Sequence, residues 1–423
     1  MSLKLKINKK NITGNILDVV TALFLVLNCQ SIWQNTVDKN YHIYEFCLLF
    51  IILNTLYTYF HWKKKRGINL EIVKISLLYY FLISLVTVFS VSQENLVRFL
   101  ARFIVLPFFL LHFSSEAPVK KKMGIFIWFV NWVSIIAWIS IIFWGLSTLG
   151  IIKETGTVNV DWFGIYRSYY GVYFSSIYQY IDWINIGLIR NIGVFTEGPM
   201  YMFVLVLALL FKKITKQFYS YGKWQTIGII IALITVASVT GYICLLLIYF
   251  IEFFYKFKDR RKQICFAFGG FIFVLFGIYW LISVKQDTAS YIARIDDYVT
   301  GIKVWVKHPV FGNGYENIDL LKSYMSQTRS WNQGFSNTIF SILAYGGVVL
   351  FSAFIYPIFR GIYYGFKKSD YTILSLSVVY LFLYFTVIFY TFYINFAVWG
   401  LLICVYKFPL FCTDDSGLLS KRI

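Results

Sequence analysis

The chain has 423 residues, of which 59% are hydrophobic, 21% aromatic and only 14% charged, and its net charge is +19. A soluble protein carries about 25% charged residues, so the composition excludes a set of soluble domains and indicates one polytopic membrane domain. The positive charge does not indicate nucleic-acid binding, because the Lys and Arg residues occur in short clusters between apolar segments, as the positive-inside rule predicts.

Twelve apolar segments are predicted to cross a membrane, since a spanning helix needs about 20 mostly apolar residues. All are predicted to be helices, because only helices or closed barrels satisfy the backbone in lipid and these segments lack barrel alternation. They are 16–34, 42–61, 70–91, 95–113, 123–149, 193–211, 225–239, 240–257, 265–283, 336–359, 371–389 and 391–407. We therefore predict an all-α polytopic integral membrane protein with a single transmembrane domain over residues 1–423.

The basic clusters between these segments predict the orientation of the chain. With twelve spans they all fall on one side, which the positive-inside rule assigns to the cytoplasm together with both termini. The clusters are Lys63–Arg66, Lys120–Lys122, Lys212 with Lys213 and Lys216, Arg260–Lys262, Lys367–Lys368 and Lys421–Arg422. The first apolar run has no small-residue cleavage site after it, so we expect a retained span rather than a signal peptide.

Two loops on the opposite, outer face are much longer than a helix connection needs, namely 150–192 and 284–335. Long loops in compact proteins are usually functional or disordered. The first is rich in Tyr and Trp, and we expect it to lie as an interfacial helix on the membrane. Its aromatic residues fit either a belt at the lipid headgroups or stacking on sugar rings, and their number does not separate the two.

The stretch from Arg190 to Pro199 ends the first loop and places Arg190 and Glu197 at the mouth of the next span. Ionisable groups at such a boundary are costly and usually mark a functional site. The alternative is that Arg190 only anchors a helix end at the headgroups, as arginine often does. Glu197 has two readings as well: a base or acceptor-positioning group whose pKa is raised at a lipid boundary, or a structural partner for a nearby arginine.

Several kinds of site are excluded by the residues present. The four histidines, at 42, 61, 112 and 308, lack the spacing of a zinc site, and no P-loop or dinucleotide glycine fingerprint occurs. The acidic pair Asp296-Asp297 is predicted to be a solvated helix end. A group transfer on the outer face needs a donor that is already lipid-carried and activated. A lipid pyrophosphate meets that need, because arginine can stabilise the departing charge without a metal or other cofactor.

Basic residues on the outer face are therefore the candidates for binding such a donor. Arg98 and Arg102 lie on one face of the fourth span, where they either extend to the headgroups or form an anion clamp with arginines of the two loops. The outer-face basic residues are Arg98, Arg102, Arg167, Arg190, Arg294, Arg329, Lys303 and Lys307.

Four motifs, in order, resemble those of O-antigen polymerases and ligases, the family of the Wzy-class polysaccharide polymerases. Arg190 to Pro199 resembles the family's Arg-x-x-Gly-x-Phe-x-Glu-Pro stretch, and Thr235 to Gly241 its Ser-Arg-x-Gly turn. Arg294, followed by His308-Pro309-Val-Phe-Gly312-Asn-Gly314, resembles an Arg before His-Pro-x-x-Gly-x-Gly. Ser336-Asn337, with Gly346-Gly347 on the next span, resembles a His-Asn…Gly signature. The resemblance covers roughly residues 190–350, and it covers the flanking spans by hydropathy alone.

The resemblance implies an integral-membrane glycosyltransferase that uses an undecaprenyl-pyrophosphate-linked glycan on the outer face of the bacterial cytoplasmic membrane. It implies that Arg190 and Arg294 bind the pyrophosphate and that Asn337 orients the acceptor or its loop, with Ser336 and His308 beside the substrate. The chain departs from the family where ligases have a histidine (here Ser336), where Gly198 separates Glu197 from Pro199, and where Val239 replaces the arginine of the turn.

The absent histidine favours a polymerase that joins lipid-linked repeat units into capsule, exopolysaccharide or O-antigen. A flippase and a chain-length regulator of the same pathway are its expected partners. Arg190, Arg294 and Glu197 are the predicted catalytic residues, and Arg98, Arg102, Arg167, Ser336, Asn337 and His308 are predicted to bind substrate. Two alternatives remain: a ligase that moves the glycan to a fixed acceptor, and a lipid-linked oligosaccharide flippase, for which twelve spans are also common.

Overall fold

The computed structural model describes residues 12–37, 39–63, 70–92, 96–161, 164–176, 179, 181, 188–257, 261, 269–270, 289–329 and 335–407. This part of the chain is mostly helical. Within it, five helices are long and apolar enough to cross a membrane: Ile43–Trp62, Leu70–Phe89, Gly124–Thr148, Gly198–Thr215 and Thr338–Lys368. The protein is therefore a mostly helical, membrane-embedded protein.

The helices before the first long loop are α1 (Ile12–Leu27), α2 (Ile32–Asn35), α3 (Ile43–Trp62), α4 (Leu70–Phe89), α5 (Leu96–Phe103), α6 (Val105–Ser114), α7 (Val119–Lys122) and α8 (Gly124–Thr148). The loop contains strands β1 (Gly156–Val160), β2 (Gly164–Tyr169) and β3 (Tyr173–Ser175). The helices after it are α9 (Gly198–Thr215), α10 (Lys223–Val236), α11 (Val239–Lys256), α12 (Ala289–Lys307), α13 (Ile318–Tyr324), α14 (Thr338–Lys368), α15 (Tyr371–Thr386) and α16 (Tyr393–Cys404), with short 3₁₀ turns at Gln327–Arg329 and Val405–Lys407.

Most predicted spans coincide with a described helix, but several are shorter or interrupted. The segment 16–34 ends its first helix at Leu27 and continues as the short α2, and the segment 95–113 is divided between α5 and α6. The apolar helices that do not reach spanning length have 10–17 residues. The predicted span 265–283 lies outside the described residues, apart from 269–270.

The first loop is an antiparallel sheet in the order β1-β2-β3, so the prediction of an interfacial helix is wrong. Alternation with period two places Val160, Tyr166 and Phe174 on one face, where they pack with Ile32 and Ile192 in a small buried cluster. Tyr170 and Gly171 both have positive φ, the geometry that tight hairpin turns require. The sheet therefore has its own core, which packs onto α2.

The second loop contains helices α12 and α13, and the turn between them packs on α14. At this contact α14 is kinked at Gly347, which has φ +59°. A Cβ on Gly347 would lie 2.4 Å from the backbone of Val310, and one on Gly312 would lie 2.4 Å from the backbone of Tyr345. The backbone N–H of Val348 donates to the carbonyl of Pro309 at 2.9 Å. The glycines of the third and fourth motifs thus allow two backbones to touch.

Helix α9 lies at the centre of the bundle, with most of its side chains buried against α8, α10, α11 and α15. Glu197 precedes its first residue, and Lys212 and Lys213 lie in its last turn. A rise of 1.5 Å per residue separates Glu197 from Lys212 by roughly 22 Å along the axis. The helix therefore connects opposite ends of the bundle.

Candidate functional site

The stretch before α9 is held by backbone contacts with several neighbours. The N–H of Arg190 donates to the carbonyl of Gln179 at 2.9 Å, and the N–H of Asn191 donates to Thr235, at the end of α10, at 3.2 Å. Further along, the N–H of Thr196 donates to the carbonyl of Gln30 at 3.0 Å. The first loop, α10 and the turn between α1 and α2 therefore fix the path of this stretch.

Asn191 and Gly193 shape the stretch from within. The Asn191 side-chain amide donates to Ser140 at 3.2 Å and to Thr235 at 3.0 Å, and its oxygen accepts the N–H of Gly193 at 3.0 Å. Gly193 has φ +59°, and a Cβ there would lie 3.1 Å from the ring of Tyr201. These two motif residues therefore position the backbone, and they direct the chain toward Glu197.

Glu197 occupies the N-cap position of α9, but its side chain makes no capping hydrogen bond. The oxygen of the Gln179 side chain accepts the N–H of Gly198 at 3.0 Å instead. Gln179 thereby satisfies the first of the helix N–H groups that have no partner within the helix. Burial raises the pKa of Glu197, and the positive charges of Arg294 and Arg190 oppose that rise.

Arg190, Glu197 and Arg294, here called the arginine–glutamate cluster, come from three different parts of the chain. The Arg190 side chain runs past the start of α9, where a Cβ on Gly198 would lie 3.6 Å from its Cδ. Arg294 lies in the second turn of α12. Its positive charge opposes the rise in the pKa of Glu197 more strongly than that of Arg190 does. Of the three residues predicted to be catalytic, the two arginines are therefore near enough to Glu197 for their charges to act on it.

A buried ion pair holds α12 in the orientation that the cluster requires. Asp297 is completely buried, its Oδ1 pairs with Arg329, and its Oδ2 accepts the N–H of Ser336 at 2.8 Å. Asp296 lies 3.3 Å from the same guanidinium. Burial raises the pKa of Asp297, and the hydrogen bonds from Ser336 and Arg329 oppose the rise. The prediction of a solvated helix end is therefore wrong for Asp297. This residue follows Arg294 by three positions on the same helix face.

Ser336 and Asn337 form the start of α14, next to that ion pair. Asn337 is fully buried, and its Oδ1 caps the helix by accepting the N–H of Phe340 at 2.9 Å. Its Nδ2 has no hydrogen-bond partner within the part of the chain that the structure describes. Both residues therefore have structural roles, and the amide of Asn337 keeps a donor group without an assigned partner.

The remaining residues predicted to bind substrate do not join the cluster. Arg102 pairs with Glu316 and donates to the Tyr315 hydroxyl at 2.7 Å. Arg167 pairs with Glu154 at 2.9 Å, with both side chains about half exposed. His308 is exposed just past the end of α12, roughly 20 Å from Arg294 along the helix. The side chain of Arg98, on α5, lies outside the described residues.

The site also includes polar residues that sequence reasoning missed. The Gln179 amide donates to the carbonyl of Thr196 at 2.8 Å, and the Tyr166 hydroxyl donates to the same carbonyl. Burial and the charge of Glu197 both raise the pKa of Tyr166. Near Arg294, the Tyr298 hydroxyl donates to the carbonyl of Phe385 at 2.9 Å. In the sequence these tyrosines do not differ from those of a membrane-interface belt.

Comparison of the chain with protein-family models gives no match, and comparison with curated proteins gives no significant match. The arrangement of the site is therefore described by its geometry alone. The charges of two guanidinium groups, one on the stretch before α9 and one on α12, act on one half-buried carboxyl. Such a site can bind a doubly charged oxyanion through the arginines and can accept a proton at the carboxylate.

Proposed function

We propose that this protein is a membrane glycosyltransferase that polymerises lipid-pyrophosphate-linked oligosaccharide units. The observation that supports the proposal most directly is that the charges of Arg190 and Arg294, from two parts of the chain, both act on Glu197 before the first turn of α9. The four motifs in order support the same class. Undecaprenyl-pyrophosphate-linked repeat units are the proposed substrate, and capsule, exopolysaccharide or O-antigen is the proposed product.

In the proposed reaction, a sugar hydroxyl of one repeat unit attacks the anomeric carbon of a chain held on the lipid pyrophosphate. The new glycosidic C–O bond forms as the bond from the anomeric carbon to the pyrophosphate oxygen breaks, and the pyrophosphate leaves with that electron pair. Arg190 and Arg294 stabilise the developing negative charge. Glu197 accepts the hydroxyl proton, for which a carboxyl with a raised pKa is suited.

The proposed arrangement in the membrane follows from the charges at the two ends of α9. We infer twelve spans, with both long loops on the outer face of the bacterial cytoplasmic membrane and both termini in the cytoplasm. Lys212 and Lys213 lie at the end of α9 opposite Glu197, and the positive-inside rule assigns that end to the cytoplasm. The arginine–glutamate cluster is then on the outer face, where a flippase delivers lipid-linked units and a chain-length regulator acts on the product.

An enzyme accounts for the position of the charges better than a carrier does. Transporters place ionisable groups and broken helices near the bilayer midplane, whereas Glu197 and Arg190 precede the first turn of α9. The ligase alternative differs in its acceptor, which is a fixed anchor rather than another repeat unit. Ser336, at the position where ligases of the resembling family have histidine, favours the polymerase.

The test is the size distribution of surface glycan in cells that carry Arg294→Ala, with the membrane level of the protein measured alongside. Arg167→Ala is the matched control, because that arginine is in an exposed ion pair away from the cluster. We expect Arg294→Ala to reduce the glycan to single repeat units and Arg167→Ala to leave the polymer unchanged.

The other outcomes contradict the proposal in distinct ways. An unchanged polymer ladder at normal protein level would remove Arg294 from the site. Loss of all surface glycan, with lipid-linked units accumulating on the inner leaflet, would indicate transport instead of polymerisation.

A further inference from the structure

A second site is indicated at the end of α9 opposite the arginine–glutamate cluster. A cavity of about 450 Å³ opens there between the last turns of α9, the start of α10, the second half of α11 and the start of α15. The basic cavity, as we call it, has Lys212, Lys213, Lys216, Thr226, Tyr249 and Glu252 among its lining residues. The proposed polymerisation does not use any of them.

Lysine ammonium groups determine the charge of the basic cavity. Lys213 pairs with Glu252, and its Nζ lies 5.3 Å from the centre of the Tyr249 ring. Lys212 donates to the Thr226 hydroxyl. Three lysines and one carboxylate line the cavity, which leaves it positively charged. The ion pair, the ring and the hydroxyl hold two of the ammonium groups in place before any ligand arrives.

Lys216 increases the positive charge, and among the described residues that line the cavity Glu252 is the one carboxylate, which already pairs with Lys213. Lys216 directly follows the last residue of α9 and is exposed, and its charge is close enough to act on that of Lys212. Two like charges brought together at a span end are unfavourable unless an anion joins them. The first backbone N–H groups of α15 do not supply the anion site, because Asp370 accepts the N–H of Thr372 at 3.0 Å and that of Ile373 at 3.1 Å.

The walls of the basic cavity are partly apolar, with Leu209, Leu245 and Ile248 beside the lysines. A ligand that carries both an anion and a hydrocarbon portion matches such a lining. Basic pockets between transmembrane helices are sites at which anionic lipid headgroups bind. A phosphate oxygen accepts a charge-assisted hydrogen bond from each ammonium group that it reaches.

We propose that the basic cavity binds a phosphate group, carried by an anionic phospholipid or present as free inorganic phosphate. The apolar wall favours the phospholipid. This site is separate from the proposed glycosyltransferase reaction, and its occupancy is measured without any assay of glycan synthesis.

The test is native mass spectrometry of the purified full-length protein in detergent, titrated with phosphatidylglycerol. Phosphatidylcholine of the same chain length is titrated in parallel, since its choline balances the phosphate charge. Inorganic phosphate is added to each titration as a competitor. We expect phosphatidylglycerol to be retained in preference to phosphatidylcholine.

The variants are Lys216→Gln alone, Lys212→Gln with Lys216→Gln, and the control Lys223→Gln. Lys223 is an exposed lysine at the same end of the bundle and does not line the cavity. With about 1 kcal/mol per lysine near an anionic headgroup, we expect roughly fivefold weaker binding for the single variant and about 30-fold for the double variant. The control should bind as the unaltered protein does.

The outcomes separate the two sources of phosphate from failure of the proposal. Retention of phosphatidylglycerol that the lysine variants weaken assigns the site to a phospholipid. The site is assigned to free phosphate if inorganic phosphate displaces that lipid. The same assignment follows if phosphate raises the unfolding temperature of the unaltered protein but not that of the double variant. Equal retention of both lipids, or equal binding by all variants, would overturn the proposal. Gel filtration checks folding. If the double variant aggregates, the single variant Lys216→Gln still tests the proposal, because Lys216 is exposed and its replacement leaves the packing unchanged.

Discussion

The buried pair of Asp297 and Arg329 offers a sharp test of how the second loop is held. The Asp297 side chain is completely buried and that of Arg329 is 3% exposed. The variant Asp297→Asn removes one charge and leaves the other buried, for which losses of about 3–5 kcal/mol are typical. Asp296 remains 3.3 Å from the guanidinium, and the new amide oxygen can still accept the N–H of Ser336. We therefore expect a loss near the lower limit, about 3 kcal/mol.

Two further variants test whether the loss of stability comes from an unpaired buried charge. Asp319→Asn changes a carboxylate whose side chain is 96% exposed and lies 3.6 Å from Lys322, and exposed pairs of this kind contribute little. It should unfold as the unaltered protein does. Asp297→Asn combined with Arg329→Met removes both charges of the pair, and it should recover most of the lost stability, because neither partner is then left as an unpaired buried charge.

Thermal unfolding in detergent can be followed with a thiol-reactive fluorophore, because Cys29, Cys47, Cys244 and Cys404 are all buried and become reactive on unfolding. The expected order of unfolding temperatures is Asp297→Asn below the double variant, and the double variant close to Asp319→Asn. If the double variant were as unstable as Asp297→Asn, the loss would come from packing rather than from an unpaired buried charge. An Asp297→Asn protein with unchanged unfolding would refute the structural role of the pair.

Three further predictions concern the site and the contacts that support it. Because burial raises the pKa of Glu197 above 4.5, the rate of polymerisation in vitro should fall as the pH drops through that raised pKa. A rate that stays constant over this pH range would argue against Glu197 as the proton acceptor. Since a raised carboxyl pKa means that stability is lost as pH rises through it, Glu197→Gln should be slow yet at least as stable as the unaltered protein at neutral pH. Gly347→Ala places a Cβ 2.4 Å from a backbone and should cost about 2–4 kcal/mol. The control Gly145→Ala, in a helix with open space around it, should not destabilise, and equal thermal unfolding of the two would argue against the contact. For Arg102 and Glu316, a double-mutant cycle of unfolding free energies should give a coupling of about 0.5–3 kcal/mol, and additive effects would show that the pair does not hold the second loop.

Hydropathy predicted most of the helical segments, because lipid allows few alternatives to a helix. It did not predict their ends. The break at Ile104 falls within an apolar run, and the one after Leu27 falls at a short polar stretch that hydropathy averaged over a whole span does not separate from its neighbours. In the first loop the local pattern was informative but was not followed. A period-two pattern flanks the turn at Tyr170 and Gly171, as in strands, whereas the aromatic content suggested a helix on the membrane surface.

At the site, boundary charges and motif order predicted that Arg190, Glu197 and Arg294 act together, and in the structure the charges of both arginines act on Glu197. It did not predict the contribution of Gln179, whose capping of α9 depends on a contact between residues 19 positions apart. Nor did it predict the burial of Asp297, because the partner that allows that burial, Arg329, follows it by 32 positions. Pair interactions over such separations leave no periodicity in one sequence.

The backbone contact between the 309–314 turn and α14 also determines where the second loop can vary in length. Four amides cross this contact, those of Asn313, Gly314, Val348 and Val349, and hydrogen exchange at these positions is limited by opening of the bundle. One inserted residue would shift Gly312 away from Tyr345 and replace a glycine contact with a clash. By contrast, Tyr170 and Gly171 are exposed at a hairpin tip, where insertions are usually tolerated. An epitope or fluorescent label therefore belongs in the hairpin of the first loop.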